Sequence, residues 1–157
     1  MRHTISVLVE NKSGVLARVA GLFSARGFNI TSLSVGETED PSISRMTIVV
    51  SGDENILEQI EKQLNKLVDV IKVSDFSNVP HLERDLALLK ISSDKSKRTE
   101  IFQIVNVFRA KIVDVSNDAI IVEITGDEDK IQAFIKMIQP FGIKELIRAG
   151  VVGLARG

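Results

Sequence analysis

The sequence contains no cysteine, no tryptophan and no tyrosine. Without cysteine there is no disulfide, no thiolate metal site and no cysteine nucleophile, and the composition suits a reducing compartment. Phenylalanine is the only aromatic, which removes most of the stacking platforms that nucleic-acid binders use. Neither sign of charge dominates. Twenty Lys and Arg against 21 Asp and Glu leave a formal net charge of -1, so no global field draws the chain to nucleic acid or to anionic lipid. Apolar runs extend only a few residues, far short of the ~20 needed for a membrane span. Strand-like alternation begins directly after Met1-Arg2-His3, so no signal peptide is read. These absences together predict a cytoplasmic protein with no nucleic-acid or membrane partner.

Catalytic motifs are absent as well. There is no Gly-x-Ser-x-Gly elbow, no Gly-x-Gly-x-x-Gly and no Walker loop. The two histidines, His3 and His81, are far apart in sequence, have no partner at ligand spacing, and are read as surface residues. The acidic run Glu37 to Asp40 lacks the ligand spacing of a calcium loop and is read as a solvated loop. No metal site is expected.

What is present is a regular alternation of patterns across 157 residues, room for two small domains. Thr4 to Glu10 alternates as a strand. Asn11-Lys12-Ser13-Gly14 breaks it, and Asn11 or Ser13 is expected to cap a helix. Val15, Leu16, Val19, Leu22 and Phe23 form one apolar stripe, which Arg26-Gly27 ends. Phe28 to Val35 reads as a second strand whose apolar parity switches between Ile30 and Leu33, predicting a bulge near Thr31-Ser32. Ile43 to Ser51 is a third strand. Ile56, Leu57, Ile60, Leu64 and Leu67 mark a second helix, and Val68 to Phe76 a fourth strand.

After a linker at residues 77–83 the pattern repeats. Arg84 to Ser92 is a strand, Lys95 to Phe108 a helix, and Ile112 to Ser116 with Ala119 to Thr125 a hairpin around Asn117-Asp118. Ile131, Phe134, Ile135 and Ile138 mark a helix ended by Pro140, and Gly142 to Ile147 a last strand. A local echo supports duplication: Ser51-Gly52-Asp53-Glu54 recurs as Thr125-Gly126-Asp127-Glu128. In each copy glycine is expected to make the turn and the acids to start the helix.

Two adjacent strands in the middle of each half select the split βαβ arrangement over a parallel sheet. The predicted fold is α+β: two tandem ferredoxin-like βαββαβ domains, residues 1–76 and 84–157, each an antiparallel sheet with its helices on one face. The second and fourth strands of each sheet should be edges, and the second strand of the first domain is an expected pairing edge.

This topology is shared by RNA-binding modules and acylphosphatases. The former need aromatics on the central strands, and Ile5 to Val9 and Arg45 to Val49 have none. The latter need a phosphate loop with an arginine after the first strand. Here that loop offers Lys12, and Arg18 lies a turn into the helix. The remaining candidate is Asn11 to Ile30. Amides around Gly14, Val15 and Leu16 could seat a carboxylate, Asn11 and Asn29 can both donate and accept, and Leu16 and Ile30 could supply an apolar wall. An equally local reading makes Gly14 a turn glycine, Asn11 a cap and Asn29 a polar residue at a strand start.

Asn11-x-x-Gly14-Val15-Leu16-x-Arg18-Val19 and Phe23-x-x-Arg26-Gly27-Phe28-Asn29-Ile30-x-Ser32-Leu33 resemble the ACT domain of the acetolactate (acetohydroxyacid) synthase small regulatory subunit family. Ser44 to Thr47, Leu64 to Val70, Glu83-Arg84-Asp85-Leu86 and the ending Arg148 to Gly157 are similar to that family too. The resemblance covers essentially the whole chain. It implies a non-catalytic subunit that binds and activates a large subunit carrying thiamine diphosphate, Mg²⁺ and FAD, with no cofactor on this chain. It implies feedback inhibition by a branched-chain amino acid, typically valine, and a homodimer joined through the ACT domains. The effector-binding set would be Asn11, Gly14, Val15 and Leu16 of one protomer with Asn29 and Ile30 of its neighbour. The alternative is a free-standing amino-acid sensor acting on another partner.

Overall fold

A computed structural model describes residues 2–157. The elements are β1 (Arg2–Glu10), α1 (Val15–Ala25), β2 (Asn29–Glu37), β3 (Ile43–Ser51), α2 (Glu54–Lys66) and β4 (Val70–Asp75), followed by β5 (His81–Ser92), α3 (Arg98–Val107), β6 (Lys111–Val115), β7 (Ala119–Gly126), α4 (Glu128–Ile138), β8 (Ile143–Arg148) and β9 (Val152–Ala155). The first sheet has strand order β2-β3-β1-β4 and the second β6-β7-β5-β8, with β9 pairing β5. All registered pairs are antiparallel. Each half is therefore a βαββαβ ferredoxin-like unit, with its first and third strands central and its second and fourth at the edges.

The chain divides into two compact units, residues 1–82 with 151–157, and residues 83–150. The last seven residues thus group with the first unit. The sequence-based division placed them in the second, because the family-like ending runs on without a break from Arg148. Two observations tie them: Val151 N–H donates to Ser32 Oγ at 2.8 Å, and Arg156 N–H donates to Pro80 O at 2.9 Å.

The first core forms where the alternate residues Ile5, Val7 and Val9 of β1 and Met46, Ile48 and Val50 of β3 meet Val15, Val19 and Phe23 of α1 and Leu57, Ile60 and Leu64 of α2. The period of two on the strands and of three to four on the helices brings these residues to one layer. The second core repeats the arrangement with Ala87, Leu89 and Ile91, Val122 and Ile124, Ile101 and Val105, and Ile131, Phe134 and Ile138. The predicted bulge of β2 is present, as a register shift between Ile30 and Ser32.

The echoed segments do start helices. Asp53 accepts from Asn55 N and Asp127 from Lys130 N as N-caps. Their glycines have a different reason from the one expected. Neither Gly52 nor Gly126 has a positive φ, so the turn does not require them. A Cβ on Gly52 would instead lie 2.1 Å from the Phe28 ring, which is buried and meets Phe23 edge-on. Gly52→Ala is expected to cost about 1–3 kcal/mol by overpacking, read as a lower urea midpoint at unchanged slope. A variant as stable as the parent would show that the ring moves aside freely.

The expectation for His3 is also corrected. It is 1 % exposed, because it shares the helix-covered face of β1 with Ile5, Val7 and Val9, and its Nδ1 lies 3.1 Å from Ser77 Oγ. His81 stacks on Phe76, with ring centroids 4.9 Å apart. Among the described residues no group of three or more His, Cys, Asp or Glu could hold a metal ion.

Candidate functional site

The loop from Asn11 to Gly14 carries the chain from the end of β1 to the start of α1. Gly14 is the N-cap, with φ 85°, and no side chain caps the helix. The capping role expected of Asn11 or Ser13 is therefore filled by a left-handed glycine, a conformation that other residues adopt at a cost. Asn11 is occupied elsewhere. Its Nδ2 donates to Pro41 O at 3.0 Å and to Glu37 Oε1 at 3.2 Å, and its backbone N–H donates to Ser42 O at 2.7 Å. It thus joins the helix-start loop to the far end of β2.

Arg18 N–H is the first amide of α1 to bond four residues back, to Gly14 O at 3.1 Å, and Val15 N–H makes only a long 3.4 Å bond to Lys12 O. The amides of Leu16 and Ala17 precede that ladder and point out of the helix N-terminus, where partial positive charge accumulates. Arg18 adds a full charge. Its Nη2 pairs with Asp69 Oδ2 at 2.5 Å, and its Nη1 lies 3.1 Å from where a Gly14 Cβ would be. Sequence reading placed Arg18 in the resemblance but did not bring it over Gly14. The i to i+4 spacing is the signal that could have shown it.

The apolar members of the set divide. Val15 is 3 % exposed and belongs to the first core, so only its backbone faces the loop, whereas Leu16 is 44 % exposed and available as a wall. Asn29 is exposed and Ile30 half-buried against the core. These last two sit at the opposite end of the sheet. Asn29 is level with Ser51, and Ser51 with Arg2, at the start of β1, while Asn11 follows Glu10 at its end. Eight strand steps of about 3.3 Å put roughly 25 Å between the two groups. One unit alone cannot join them around a single amino acid.

Against this geometry, two family profiles match the chain. One, "AHAS small subunit-like ACT domain", covers residues 5–72, and the other, "Small subunit of acetolactate synthase", covers residues 84–157. The chain is 58% identical to the "Probable acetolactate synthase small subunit" of Archaeoglobus fulgidus, covering 100% of this chain and 98% of the relative. The chain belongs to the acetolactate synthase small-subunit family. The family's Aquifex aeolicus member is 53% identical over 99% of this chain and 81% of its own length. The crystal structure of the Thermotoga maritima small subunit superposes with a TM-score of 0.89 at 47% identity, covering 100% of this chain and 98% of that one. A small subunit of this family is a regulatory chain, and its name implies a larger catalytic partner. No helix among the described residues is long and apolar enough to cross a membrane.

Family membership directs attention to the segments at either end of the second unit, Glu83 to Leu86 and Arg148 to Gly150. They meet in space. Arg148 Nε donates to Asp85 Oδ2 at 2.8 Å, and its Nη2 lies 2.6 Å from Glu128 Oε2. Asp85 Oδ1 accepts from Leu86 N at 2.7 Å and from Gly150 N at 3.1 Å. Hydrogen bonding to Glu128, more than burial opposes it, raises the affinity of Arg148 for its proton.

Proposed function

We propose that this chain activates the catalytic large subunit of acetolactate synthase in the cytoplasm and confers feedback inhibition by a branched-chain amino acid, valine first, in valine, leucine and isoleucine biosynthesis. The thiamine diphosphate, Mg²⁺ and FAD chemistry belongs to the large subunit, and this chain supplies the effector site. One observation carries the reading of that site: its two groups lie at opposite ends of β2, yet Asn11 touches Glu37 at the strand's far end. A two-fold axis pairing β2 with β2 of a second copy, antiparallel, brings the start of one strand to the end of the other. Asn29 and Ile30 of one protomer then approach Asn11, Gly14 and Leu16 of its neighbour, and two equivalent pockets form.

In each pocket the effector carboxylate would meet the amides of Leu16 and Ala17, with the Arg18 charge behind them. Its ammonium would meet asparagine or backbone oxygens, and its side chain would lie against Leu16 and Ile30. Because the pocket exists only between copies, effector binding and dimer geometry are linked. The effector biases the large subunit through its differential affinity for two arrangements, commonly worth about 1–3 kcal/mol.

The test mixes purified chain with the large subunit and titrates valine, leucine and isoleucine. Added chain is expected to raise synthase activity, and valine to lower it again, with leucine and isoleucine weaker by modest factors because one methylene in an apolar pocket discriminates only about 10–200-fold. Valine binding with no change in synthase activity would instead identify a free-standing sensor of another partner.

A further inference from the structure

We propose a second ligand site in this chain, on the face of the first sheet away from its helices, that accepts a phosphate group. None of the effector residues lines it. A cavity of about 230 Å³ opens there over Ser6 and Leu8 of β1, Arg45 of β3, and Lys72 and Ser74 of β4, with Phe76 and Leu154 as apolar walls. The strand register builds it. Arg45 and Lys72 both stand opposite Leu8, one on each side, and Ser74 stands opposite Ser6 in the next row of that face. Two cations therefore flank a neutral residue, with hydroxyls beside them.

Among the described residues, Arg45 and Lys72 form no ion pair. The one side-chain bond of Arg45 is from Nη1 to Ser6 Oγ, at 3.0 Å. Ser6 is 2 % exposed, so it holds the guanidinium from a fixed position and keeps its own O–H free to donate. Glu37, Glu39 and Asp40 line an adjoining cavity that shares Leu8, Arg45 and Leu154 with the first. Of these, Asp40 accepts from both Ser42 N and Ser42 Oγ, and Glu37 accepts from Asn11. Lys72 and Ser74 line the first cavity, and no carboxylate does.

The duplicated fold supplies an internal control. In the second unit, the position opposite the central residue on the fourth strand is Glu145, facing Lys90. There the charges cancel: Lys90 pairs with Glu145 at 2.6 Å and Lys144 with Asp118 at 3.3 Å. The ion pair with Lys90 holds the Glu145 carboxyl below its ordinary range. The same face of the first unit carries Lys72 where the second has an acid. An arginine fork, an ammonium and two hydroxyls match a tetrahedral dianion better than a monocarboxylate, since they offer more donors than one carboxylate can accept from. The cavity is smaller than the ~300–1,000 Å³ of drug-sized sites, so the ligand is free phosphate or a small phosphate ester.

Isothermal calorimetry on the full chain tests this, with inorganic phosphate and glycerol 3-phosphate as separate probes and acetate as the monocarboxylate. Phosphate binding at millimolar or lower concentration is expected, with acetate at least tenfold weaker. Arg45→Gln and Lys72→Gln should each weaken it at least tenfold. Lys62→Gln with Lys66→Gln, on the exposed face of α2, should leave it unchanged. Tighter binding of glycerol 3-phosphate than of phosphate assigns the site to an ester, and the reverse order to the free ion. Absence of phosphate binding, or equal loss in the α2 variant, overturns the proposal. Valine binding, read in the same samples, reports separately on the effector site and is expected to survive all four substitutions.

Discussion

Asp85→Ala is expected to destabilise the second unit by about 3 kcal/mol, the lower end of the ~3–5 kcal/mol typical when one partner of a buried ion pair is removed. Asp85 itself is 4 % exposed. It receives four donors or charges at once: Arg148 Nε and Nη2, and the N–H groups of Leu86 and Gly150. Alanine leaves two of those N–H groups without an acceptor, each costing roughly 1–3 kcal/mol if water cannot reach it. The lower end applies because Arg148 and Glu128 keep part of their side chains in solvent, so Arg148 retains a partner and some hydration. Against a total stability of about 5–15 kcal/mol, the loss is large. Urea unfolding followed by circular dichroism measures it, and a double-mutant cycle with Arg148→Ala isolates the pair. Asp85→Asn should lose less, since its carbonyl oxygen still accepts. A loss under about 1 kcal/mol for the alanine variant would mean that water replaces the carboxylate.

The order of elements was legible because each depends on local periodicity and short-range chemistry. Ile43 to Ser51 alternates cleanly beside a polar loop, and β3 has those bounds. Gly27 has φ 77° after α1, as its place after an apolar stripe implied. The parity switch in β2 could be read because a register slip moves side chains to the other face. What the sequence concealed depends on tertiary neighbours. β9 is four residues long with a central glycine, too short and too irregular to show a period. The burial of His3 follows from what covers one face of β1, and the need for glycine at position 52 follows from the Phe28 ring. In the candidate site the exposed amides, the glycine and Leu16 were readable from helix-start rules. The contact of Asn11 with Glu37 and of Arg18 with Asp69 were not, since they join residues 26 and 51 positions apart.

Gly14→Asp is expected to weaken the effector response strongly while activation of the large subunit survives. The position is the left-handed cap of α1, and aspartate is among the few residues that visit this conformation, at roughly 1–2 kcal/mol. The helix should therefore persist. The new carboxylate would lie beside Arg18 Nη1, which stands 3.1 Å from the Cβ position, and before the open amides of Leu16 and Ala17. It would occupy the donors that the effector carboxylate needs, and repel that carboxylate as well. At an effective dielectric near 20, like charges ~4 Å apart cost about 4 kcal/mol. Solvent at this exposed loop reduces that to on the order of 2 kcal/mol, or roughly thirtyfold in affinity. Gly14→Ala separates the causes, because it carries at least as much backbone strain without the charge and should weaken binding far less. Calorimetry with valine measures both variants, and circular dichroism checks that α1 is intact. Unchanged valine affinity in the aspartate variant would remove Gly14 and its neighbouring amides from the site. A loss shared equally by the alanine variant would make the backbone conformation of the loop, and not its charge, the feature that the effector reads.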